Sequence, residues 1–115
     1  MSGQPDEEIT LINVFTVPVA ESERFLQMWR RRAAIMAAQP GFVEATMYQA
    51  VHDDAELRFI NVARWASEEA FDDAIASTDL PEAARRLLTE QGITSRPAVY
   101  RPTAHLRPGD GPEGP

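Results

Sequence analysis

Residues Phe59 to Phe71 (Phe-Ile-Asn-Val-Ala-Arg-Trp-Ala-Ser-Glu-Glu-Ala-Phe) constrain the fold more than any other stretch, because they read as a strand running straight into a helix. Side chains alternate across a strand, so Leu57, Phe59, Asn61, Ala63 and Trp65 share one face. Asn61 therefore stands in an otherwise apolar row. A buried amide without a partner costs about 1–3 kcal/mol, so Asn61 requires protein, water or a ligand to bond to. Ser67 suits the N-cap of the helix, and Glu68 and Glu69 follow in its first turn, where negative charge is favoured.

The rest of the chain arranges itself around this junction. Ile9 to Val17 is a run of β-branched and apolar residues and reads as a first strand. Ile9, Leu11, Asn13, Phe15 and Val17 share one of its faces, which repeats the pattern of an asparagine within an apolar row. Pro18 ends the strand, and Glu21 and Glu23 open a helix in which Phe25, Met28, Trp29, Ala33 and Met36 recur at helical spacing through to Gln39. That stripe reads as core packed on a sheet. Pro40-Gly41 stops the helix. A second strand runs from Phe42 to about His52, and Asp53-Asp54-Ala55 reverses the chain into the third, from about Glu56 to Trp65. The helix that starts at Ser67 runs to about Ser77. Thr78-Asp79-Leu80-Pro81 breaks and restarts it, and a further segment from Glu82 to about Glu90 ends at Gly92. A last strand is predicted from Ala98, continuing past Pro102 to Leu106.

The order β-α-β-β-α-β predicts an α+β, ferredoxin-like domain over 9–106, with disordered ends at 1–8 and 107–115. Helices cover one face of such a sheet, yet the other face still carries Ile12, Val14, Ile60 and Val62. A second copy packed sheet on sheet would cover them, so a homodimer is expected.

Charge and composition narrow the function. A net charge of -7 argues against nucleic acid, since phosphate binding rests on a basic surface. Arg30-Arg31-Arg32 is the one basic run and reads as a solvated helix face. No apolar run is long enough to cross a membrane as a helix, and the N-terminal residues lack the parts of a signal peptide, so a cytoplasmic protein is expected. Without cysteine there is no disulfide, thiolate metal site or cysteine nucleophile. His52 and His105 are too few and too isolated for a metal site, and no Gly-rich dinucleotide fingerprint is present.

Three stretches in this order and spacing carry a family resemblance over about residues 9–106. They are Ile12-Asn13-Val14-Phe15-Thr16-Val17, Gln39-Pro40-Gly41-Phe42, and Phe59 to Phe71. The chain resembles the antibiotic biosynthesis monooxygenase family of small dimeric α+β barrel proteins. In one branch, cofactor-free enzymes oxidise anthrone-like polyketides to quinones; the resemblance carries that branch's functional residues onto Asn13, Asn61 and Trp65. A tyrosine used by some members falls on Phe71, which supplies no hydroxyl, and an arginine of the following segment falls on Arg85. Another branch degrades haem, and its helical tryptophan and histidine fall on Ala74 and near Arg85, so the axial ligand is missing.

The resemblance implies a cofactor-independent monooxygenase with molecular oxygen as co-substrate and an electron-rich polycyclic aromatic as substrate. Asn13 and Asn61 would hold its oxygens, and Trp65 would bound its ring system. Phe71, Arg85 and Tyr48 are the expected substrate contacts. Alternatives on the same fold are haem binding or degradation, a non-oxidative change to a polyketide, and a non-catalytic small-molecule-binding module. From the residues alone, the asparagines could equally bond each other or the backbone, and Trp65 could simply close the core.

Overall fold

The computed structural model describes residues 7–78 and 92–111, together with 82, 85, 86 and 89. Four strands, β1 (Ile9–Thr16), β2 (Phe42–Gln49), β3 (Phe59–Trp65) and β4 (Thr94–Tyr100), form one antiparallel sheet in the order β2-β3-β1-β4. Two helices, α1 (Ser22–Ala37) and α2 (Glu68–Ala76), lie on the face that carries Phe15, Phe59 and Trp65. The element order and strand order together are ferredoxin-like. Among the described residues no helix is long and apolar enough to cross a membrane.

The sheet is open. β2 and β4 are its two edges and do not pair with each other, which corrects the expectation of a dimeric α+β barrel. A four-stranded sheet has about half the strands that a filled barrel takes, so this one keeps two free edges.

Two apolar clusters hold the helices on the sheet. In the first, Phe25 of α1 packs between Phe15 and Phe59, with both ring centroids 4.8 Å away. In the second, Trp65 packs with Ile9, Ala63 and Ala74. Phe25, Phe59 and Trp65 are the largest fully buried side chains. Each contributes on the order of 2–3 kcal/mol by burial.

The junctions follow local chemistry. Ser67 caps α2, its Oγ accepting from the Ala70 N–H at 3.0 Å. Gly41 ends the turn after α1 at φ +89°, and a Cβ there would collide with the Ala70 methyl, so both backbone and space demand glycine. Its carbonyl accepts from Ala66 N at 2.7 Å, tying the α1–β2 turn to the β3–α2 junction. Arg58 is buried at the base of the β2–β3 hairpin, donating to the carbonyls of His52 (2.8 Å) and Ala50 (3.5 Å) and lying 3.6 Å from the exposed Asp53 carboxylate.

The last strand differs from its predicted position. It begins at Thr94 rather than Ala98 and stops at Tyr100. Pro97 lies inside it, which an edge strand tolerates because only one side of the strand must pair. Residues 82, 85, 86 and 89 are helical and Gly92 has a positive φ of 72°; the rest of the expected 82–90 segment, residues 1–6 and residues 112–115 lie outside the described residues.

Candidate active site

Between the sheet and the helices lies a cavity of about 520 Å³. Its floor follows from strand register. Asn13 of β1 stands directly opposite Asn61 of β3, with Pro97 of β4 and Met47 of β2 continuing the row on either side. Directly paired residues of an antiparallel sheet point to the same face, so both amides emerge beneath the helices. Asn13, Asn61 and Trp65 all line the cavity.

The two amides are held differently. Asn13 Oδ1 accepts a hydrogen bond from Ser95 Oγ at 2.9 Å, which fixes that end of its side chain. Asn61 is 9% exposed, and its Oδ1 has no partner among the described residues. No hydrogen bond between the two asparagines occurs. Trp65 is 1% exposed, and its indole N–H is likewise buried without a partner. Phe42 and Phe71 meet the Trp65 ring edge-on, at 5.3 and 5.6 Å between centroids, and fix its plane. Buried polar groups are nearly always paired, so these two groups on one cavity wall leave hydrogen-bonding capacity that a water or a polar ligand can take up.

α2 contributes Phe71 and Ile75, one turn apart, to the lining. Arg85 and Thr89 line it as well and share a helix face, the Thr89 hydroxyl donating to the Arg85 carbonyl at 2.8 Å. Tyr48 does not reach the cavity. A β-bulge between Phe42 and Glu44 resets the alternation of β2, so that Ala45 and Met47 face the helices while Tyr48, 57% exposed, pairs with Ile60 on the outer face.

Sequence reasoning missed contributors from both α1 and β4. Trp29, Ala33 and Met36 belong to the stripe read as core, but only Phe25 and Met28 of that stripe are buried; the other three line the cavity. Ser95 lies in the part of β4 that precedes the expected strand start at Ala98. Arg32, the third of the basic run, is half-buried on the lining while Arg30 and Arg31 are exposed. Burial, reinforced by the like charge of Arg31, holds its guanidinium below the usual arginine range. Among the described lining residues there is no Asp, Glu, His, Lys or Tyr. The site can therefore donate hydrogen bonds and stabilise negative charge, but those residues offer it no conventional general base.

Comparison with known proteins bears on what such a site does. A family model described as antibiotic biosynthesis monooxygenase matches residues 8–86. A deoxynogalonate monooxygenase of Streptomyces nogalater is 37% identical over 74 residues, which are 64% of this chain and 60% of that protein. The match thus spans less than two thirds of the relative's length. The crystal structure of SnoaB, a cofactor-independent oxygenase from the same organism, is 31% identical with a TM-score of 0.69, over 90% of this chain and 99% of SnoaB. A haem-degrading protein of Mycobacterium tuberculosis aligns with a TM-score of 0.64 over 87% of this chain and 99% of its own, but at 18% identity it shares the fold alone.

Proposed function

Because the chain belongs to the antibiotic biosynthesis monooxygenase family, we propose that it is a cofactor-independent monooxygenase that oxidises an anthrone-type polycyclic aromatic to a quinone with O2. The observation that carries the reading is the pair of buried, unpartnered groups, Asn61 Oδ1 and Trp65 Nε1, on the wall of an aromatic-lined cavity. The relationship to a cofactor-independent oxygenase supports the same chemistry.

The reaction balances on substrate and oxygen alone. An anthrone loses its methylene proton to give a delocalised enolate, the enolate passes an electron to O2, and the two radicals combine as a carbon-bound peroxide. Once the peroxide is protonated, loss of water leaves the quinone carbonyl. One oxygen atom enters the ring, the other leaves as water, and the substrate supplies every electron. The chain's task is orientation and charge stabilisation in a dry slot. Asn13 donates to the enolate oxygen through its Nδ2, the buried Asn61 Oδ1 accepts from a phenolic hydroxyl, and Arg85 adds positive charge. Trp65, braced by Phe42 and Phe71, bounds the ring system and directs its N–H at the developing peroxide. Phe71 contributes shape rather than a proton. With no conventional base among the described lining residues, the proton is released by the acidity of the substrate, which these donors increase.

The test is oxygen uptake by metal- and flavin-free protein given 1,8-dihydroxyanthrone. Consumption of one O2 per quinone formed, above the spontaneous rate, supports the proposal; uptake at the spontaneous rate sinks it. The reading extends to a homodimer through the outer face of the sheet. The half-buried Ile12, Val14, Ile60 and Val62 on the face away from the helices support that assembly. Sedimentation at micromolar concentration checks it, and a stable monomer would remove it.

A further inference from the structure

Arg32 occupies a position where α1 calls for an apolar side chain. Trp29, Arg32, Ala33 and Met36 follow the i, i+3, i+4, i+7 spacing of one helix face, and all four line the cavity. Partial burial of a guanidinium costs free energy that a bound anion can offset. Among the described residues no carboxylate forms an ion pair with Arg32. The cavity lining thus holds two arginines, Arg32 and Arg85, and no acid among its described residues, in a chain with 18 acidic and 11 basic residues.

The ring oxygens of the proposed substrate already have partners in Asn13, Asn61 and Arg85. A further cation on the helix side implies a further anion on the ligand. We infer that Arg32 is a specificity-determining residue that pairs with a carboxylate substituent of the aromatic substrate. A guanidinium fork matches a carboxylate with two parallel hydrogen bonds, which a single phenolate oxygen cannot accept in the same way. The inference rests on the aromatic-substrate reading, but it is testable without turnover.

The quinone products serve as unreactive probes. Binding of 1,8-dihydroxyanthraquinone and of its 3-carboxylate is followed by quenching of the fluorescence of Trp29 and Trp65. Wild type is expected to prefer the carboxylate by about tenfold, and Arg32→Gln to reduce that preference to about twofold or less. Arg32→Lys should retain part of the preference, and Arg31→Gln, at an exposed neighbour, all of it. A wild type without preference overturns the inference. So does a preference that survives Arg32→Gln in folded protein, or one that Arg31→Gln removes equally. Should Arg32→Gln fail to fold, Arg32→Lys decides: a preference undiminished from wild type, or an equal loss of both ligands, overturns the inference. Discrimination between the quinones without oxidation of either anthrone would remove the oxygenase reading and leave this one standing.

Discussion

Asn13 and Asn61 face each other across β1 and β3 yet do not bond each other: Asn13 Oδ1 is held by Ser95, and Asn61 Oδ1 by no described residue. No described protein group thus offsets the burial of that amide oxygen. Replacing it with a group of similar volume and no polarity should relieve the cost of that burial. Asn61→Leu is expected to match or exceed wild-type stability, by up to about 2 kcal/mol in denaturant unfolding. A loss of that size would instead show that Asn61 holds the fold together.

Ser95 acts through Asn13. Ser95→Ala removes one hydrogen bond and should lower stability by about 0.5–1.5 kcal/mol. With the Asn13 amide free to turn, kcat should fall about three- to tenfold while KM stays close to wild type. A change in KM alone would separate Ser95 from the positioning of Asn13.

Trp65 combines packing with a donor. Trp65→Phe leaves a gap between Phe42 and Phe71 and should cost about 1–3 kcal/mol in unfolding free energy. Because the indole N–H is lost as well, turnover should fall at least about tenfold at a temperature where the variant remains folded. Unchanged turnover in that folded variant would assign Trp65 to the core alone.

On the outer face, Glu8 accepts two hydrogen bonds from Arg64, at 2.6 and 3.1 Å, and Arg64 also reaches Glu44 at 2.7 Å. The Arg64 hydrogen bond holds the Glu8 carboxyl below its ordinary value of 4.5. A depressed carboxylate stabilises the fold above its unfolded pKa, and that contribution is lost as the pH falls through the folded value. Thermal unfolding of Glu8→Gln should accordingly depend less on pH than wild type between about pH 5 and about pH 3, with the difference shrinking in high salt. Parallel curves at all pH values would contradict the assignment.

The parts legible in the sequence were those set by local chemistry. The β-branched run at Ile9, the turn at Pro40-Gly41 and the cap at Ser67 mark element ends by their own residues, and strand alternation places Asn13 and Asn61 each in an apolar row, while their direct pairing depends on the register of β1 with β3. What stayed hidden depends on tertiary context. Pro97 reads as a strand breaker until β4 is known to be an edge, which also concealed Ser95. The bulge at Phe42 and Glu44 turned Tyr48 outward without any sequence signal of its own. Arg32 is indistinguishable from Arg30 and Arg31 in a basic run until the azimuth of α1 is fixed.

In the proposed reaction the buried amide of Asn61 serves turnover rather than the fold. The most direct test is the turnover of 1,8-dihydroxyanthrone by folded, metal- and flavin-free Asn61→Leu beside wild type. The expected result is oxygen uptake by wild type and only the spontaneous rate with the variant. Wild-type turnover in Asn61→Leu would contradict it.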